Sequence, residues 1–194
     1  MKLLPHIRWC PTGPFAFLPI HAAGVYGLGN SEGIFDYAVS SYTPTISTLL
    51  RTTPSISTPF RMLVVIQSQS LGCTIDELQK IEDRVPNEFL VKLGVSGSPA
   101  SVEAVMSSLR DVSIAHFACH GEQDGANPLD SALILEDGRL KVSRIMGQPM
   151  SGASLAFLSA CQTAKGDGKL PDEAMHLAAT LLFAGFRGVV GTMW

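Results

Sequence analysis

The chain has 194 residues, 46% of them hydrophobic and 16% charged, with a formal net charge of −3. That length and apolarity suffice for a buried core without disulfides or metal, which excludes a disordered polymer and a disulfide-stapled miniature. Its 14 Lys and Arg form no cluster, and its four cysteines form no CxxC pair; nucleic acid is not expected as a partner, and free thiols in a reducing, cytoplasmic setting are.

The N-terminus, "MKLLPHIRWCPTGP", lacks the long apolar core of a signal peptide. "IRWCPTGPFAFLPIH" places two apolar runs around Pro11–Pro14, which predicts a hairpin or a pair of edge strands. The Gly-rich "AAGVYGLGNSEG" reads as a loop, and no Lys-Ser/Thr follows it to make a phosphate cradle. "YAVSSYTPTISTLLR" reads as a strand end and then a helix starting near Thr43-Pro44, followed by a polar linker, "TTPSISTP". "RMLVVIQSQ" is a strand covered on both faces. "TIDELQKIEDRVP" carries apolar residues at 75, 78, 81 and 85, helical spacing, with Thr74 and Glu77 predicted as a capping box.

"FLVKLGVS" is a further strand; "SPASVEAVMSSLRD" is a helix starting near Ser98 or Ser101; "VSIAHFAC" is a strand. "SALILEDGRLKVSRIM" surrounds Asp137-Gly138, a hairpin signal. "ASLAFLSAC" is a buried strand, "PDEAMHLAATLLFAGF" a helix too short for a membrane span, and "RGVVGTMW" an apolar strand expected inside a sheet. This alternation predicts an α/β fold with a mostly parallel sheet, whose ligands gather at the carboxyl ends of strands. Residues 1–60 form an N-terminal hairpin-and-linker part, and 61–194 the core sheet with the reactive site, within one domain.

Two strand ends carry reactive side chains, "HFACHG" and "FLSACQTA". A thiol nucleophile needs a base, an acid for the leaving amine and backbone N–H groups for the oxyanion. Strand parity sends Ile114, His116 and Ala118 to one face and Ala115, Phe117 and Cys119 to the other. His116 and Cys119 lie within the apolar run and are expected to pack; His120, beside Gly121 at the strand exit, is the reactive candidate. Cys161 follows His120 by 41 residues, room for one hairpin insertion between neighbouring strands. His176 and His21, flanked by apolar residues, read as packed.

Together, "CPTGPFAFLPIHAAG", "HFACHG", "LSACQTAKGD" and "LPDEAMHLAATLLFAGFRGVVGTMW" resemble the CHAT domain, a caspase-like peptidase group usually joined to tetratricopeptide or other helical repeats. The resemblance implies a caspase-like three-layer α/β fold, Cys161 as nucleophile, His120 as general base, and an oxyanion hole from the N–H groups of Gly121 and Cys161. It implies a protein or peptide substrate, helical-repeat partners, and no cofactor or metal. The position two before the nucleophile helps line the substrate pocket in such enzymes; here it is Ser159, with Asp124, Asp130, Asp167 and Asp172 as loop acids nearby. The family normally continues past "GTMW", so C-terminal truncation is expected.

Two other functions compete with a cysteine endopeptidase. One is a catalytically inactive caspase-like module that binds or regulates partners. The other is a zinc site from Cys119, His120, Cys161 and His176, which would need several strands to converge.

Overall fold

A computed structural model describes residues 3–27, 31–50, 59–124, 126–148, 150, 152–159 and 177–191, which fall into two compact units, one of the described residues up to 50 and one of the described residues from 59 on. The predicted linker lies mostly outside the described residues.

In the first unit, β1 (His6–Trp9) pairs in parallel with β4 (Val39–Tyr42), His6 opposite Val39. The expected hairpin at Pro11–Pro14 is therefore not formed. Gly13–Phe17 instead winds into a 3-10 turn with Pro14 near its start, where a fixed φ and a missing N–H are tolerated. The segment read as a loop contains an antiparallel pair, β2 (Gly24–Tyr26) and β3 (Ser31–Gly33). Gly24 is needed there because a Cβ would strike the Glu32 carbonyl. The short α1 (Ile46–Leu49) starts just after Thr43-Pro44, as expected.

The second unit is built on a parallel sheet ordered β12-β11-β7-β5-β6. Its strands are β5 (Met62–Ile66), β6 (Leu90–Leu93), β7 (Ile114–Ala118), β11 (Leu155–Leu158) and β12 (Gly188–Gly191). Leu63, Val64, Val65 and Ile66 are all buried, the consequence of a strand covered on both faces. One face joins Leu63, Val65, Ala115, Phe117 and Cys119 to the main core. The other packs Val64, Ile66 and Ala118 against Leu78 of α2 (Cys73–Glu82). The parity read from the sequence is thus realised. β12 is the last strand of this sheet among the described residues, and Val190 is 47% exposed.

Between β7 and β11 the chain forms a three-stranded antiparallel sheet ordered β10-β9-β8, from β8 (His120–Glu122), β9 (Ala132–Leu135) and β10 (Gly138–Lys141). The predicted Asp137-Gly138 turn joins β9 to β10, with Gly138 at φ 151°. Leu133, Leu140, Val142 and Ile145 carry this insertion and α4 (Val142–Met146) into the main core. The helix α3 (Val102–Ser108) is capped by Ser101, whose Oγ accepts from the Ala104 amide at 3.2 Å. The β9–β10 turn caps it as well. The Val102 amide donates to Asp137 Oδ1 at 2.8 Å and the Ala100 amide to Glu136 Oε1 at 3.0 Å, while the Glu136 amide returns a bond to the Ala100 carbonyl at 3.1 Å. α5 (Leu177–Ala184) packs on α4. Among the described residues, no helix is long and apolar enough to cross a membrane.

Candidate active site at the strand ends

All five strands of the parallel sheet point the same way, so their carboxyl ends form one rim. The rim at β5 and β7 is zipped beyond the strands. Gln67 donates its amide to the Ala118 carbonyl at 3.0 Å, and its side-chain Oε1 accepts from the His120 amide at 3.2 Å. His120 leaves β7 and enters β8 opposite Ile134, with Gly121 opposite Leu133. It is half-buried, and among the described residues no group hydrogen-bonds its ring. The neighbouring rim continues in the same manner, with the Ser159 amide donating to the Phe117 carbonyl at 2.9 Å.

Cys119 points into the main core, 1% exposed, and burial pushes its thiol pKa up to about 12. A thiol so far from ionisation is a poor nucleophile. Cys161, Asp167, Asp172 and His176 lie outside the described residues. Asp124 Oδ1 accepts from the Ala126 and Asn127 amides, which closes the turn after β8. Asp130 binds Lys141 Nζ at 2.7 Å and Asn127 Nδ2 at 2.6 Å; the Lys141 bond holds its carboxyl below the ordinary 3.8. Among the described residues, no cluster of His, Cys, Asp or Glu is suited to holding a metal ion.

The register adds an alignment. Leu155 lies opposite Ile114 and Leu158 opposite Phe117, so β11 residues face those 41 earlier. His120 and Cys161 are separated by the same 41 residues. The profile of the CHAT domain matches residues 1–194. The chain belongs to the CHAT-domain family. CHAT domains are a caspase-like peptidase group associated with protein substrates or partners, and the α/β architecture here, with its five-stranded parallel sheet, is that of a caspase-like fold. None of the curated proteins matches the chain.

The structure of this CHAT domain also reveals a polar cluster beside the rim. Glu77, from the middle of α2, places Oε2 2.8 Å from His116 Nε2, while its Oε1 accepts from Ser159 Oγ at 2.9 Å. The Phe157 ring lies opposite His116 in the ladder and stacks on it, centroids 5.1 Å apart and planes 14° from parallel. The expected capping box is therefore absent: Gly72 precedes α2 without a side-chain cap, and Thr74 Oγ1 donates to the Leu71 carbonyl. Glu77 lies too far inside the helix to reach back, and on the face that meets the sheet. His116 is buried as expected, yet it does more than pack. A histidine whose parity aims it at a helix needs a polar partner on that helix, and Glu77 was the available signal.

Proposed function

We propose that this CHAT domain is a cysteine endopeptidase with Cys161 as nucleophile and His120 as general base and acid. The shared 41-residue offset carries this reading: continuing the β7–β11 register past the strand ends would bring these two positions opposite each other. Short antiparallel pairing and the Gln67 bond hold the His120 backbone, which favours a fixed base.

His120 would take the Cys161 thiol proton as sulfur attacks the scissile carbonyl carbon. The N–H groups of Gly121 and Cys161 would hold the oxyanion. His120 would then pass the proton to the departing amine, leaving an acyl-enzyme that water, deprotonated by the same imidazole, hydrolyses. The site is proposed to act on proteins or peptides in a reducing, cytoplasmic setting, with helical-repeat proteins or domains as partners.

A thiol-reactive peptide probe should label Cys161 in the folded protein. Cys161→Ala and His120→Ala should each abolish turnover while leaving the thermal melt intact. A folded Cys119→Ser protein without activity, beside a Cys161→Ala protein that still turns over, would show that the wrong nucleophile is named. A protein that resists the probe at Cys161 and cleaves no peptide would be read as a binding module.

A further inference from the structure

Glu77, His116, Ser159 and Phe157 meet at the rim where Ser159 stands two residues before Cys161, within about 7 Å along the backbone. Four observations bear on what the cluster does. Each Glu77 oxygen receives one hydrogen bond, from His116 or Ser159, so each keeps a free lone pair. The Glu77 side chain is 31% exposed, and so remains open to a ligand. Among the described residues its salt-bridge partner is His116, and no Lys or Arg pairs with it. Finally, the Phe157 ring, stacked on the His116 that Glu77 binds, is 40% exposed.

We infer that Glu77 is a specificity-determining residue that receives a cationic side chain of the bound peptide, with arginine the best fit. A guanidinium can pack against an aromatic ring and direct a charged N–H fork at a carboxylate, whereas a neutral side chain of the same shape offers only uncharged, weaker donors. His116 and Ser159 would fix the carboxylate's orientation, so its geometry would be set before the ligand arrives. The inference rests on the peptidase reading only in taking the ligand to be a peptide.

The test uses full-length Cys161→Ala protein, which binds without turnover. Two peptides differ only in Arg against citrulline, the neutral isostere. The Arg peptide should bind at least about tenfold more tightly. Glu77→Gln in the same background should erase that ratio mainly by weakening the Arg peptide, with the thermal melt confirming the fold. Equal binding of the two peptides would overturn the inference. So would a Glu77→Gln protein that loses both peptides equally, since that marks a purely structural role. If Glu77→Gln does not fold, salt replaces it: the Arg-to-citrulline ratio must fall as ionic strength rises, and a constant ratio overturns the inference. Discrimination in the Cys161→Ala protein, paired with a wild type that cleaves neither peptide, would sink the peptidase reading and leave the cation site standing.

Discussion

The cysteines at 10, 73 and 119 make an internal comparison of thiol reactivity. Cys10 and Cys73 are exposed, whereas Cys119 is buried and its thiol is pushed from 9.0 up to about 12. Alkylation proceeds through the thiolate. At pH 8 an ordinary thiol is about one-tenth ionised, and one at 12 about one part in ten thousand. Cys119 in the folded protein should therefore react on the order of a thousandfold more slowly than the same thiol in the unfolded chain, before its steric protection is counted. Iodoacetamide labelling followed by peptide mass spectrometry reads all the sites in one sample, and labelling in urea supplies the unprotected rates. The pH dependence follows from the same burial. A thiol pKa raised by folding leaves its stabilisation intact below 9.0, and that stabilisation is lost as pH rises from there towards 12, by up to about 1.4 kcal/mol per pH unit. Native-state labelling of Cys119 at a rate near that in the unfolded chain would refute the burial, and with it the choice of nucleophile.

A double-mutant cycle on Glu77→Ala and His116→Ala, followed by urea unfolding, should give a coupling of about 1.5–3 kcal/mol, the range for a hydrogen bond to a charged group; additive losses would mean the pair is idle. Gly94→Ala should destabilise the second unit by more than about 1 kcal/mol, since Gly94 has φ 88° and a Cβ there would strike the Ile66 carbonyl; an unchanged melting temperature would contradict that close approach. The depressed Asp130 carboxyl contributes stability above 3.8 that is lost as pH falls through its folded value, so proteolysis within residues 124–130 should quicken in acid for wild type, and Asp130→Asn should remove that pH dependence.

The strands of the parallel sheet were legible because their apolar runs, such as Leu63–Ile66, are continuous, and because parity along Ile114–Cys119 needs only a two-residue period. The N-terminal pairing was not legible. β1 takes its partner from Val39–Tyr42, some thirty residues on, and no local pattern encodes a distant partner. Glu77 was visible as a helical residue and mistaken in role, because capping depends on helix register while its partners come from strand β7 and the end of β11. The strand exit at His120 could be read from its flanking residues; the polar cluster around Ser159 required the fold.

The β9–β10 turn also carries a consequence for how the chain tolerates change. Hairpin tips are the usual places for inserted residues, epitope tags and circular-permutation breakpoints. This tip is committed, since Asp137 satisfies the Val102 amide that opens α3 and Glu136 the Ala100 amide just before its cap. Lengthening it would free those amides and loosen a helix distant in the sequence. Any insertion engineered into this chain, or acquired by a diverging copy of its gene, is better accommodated away from that turn.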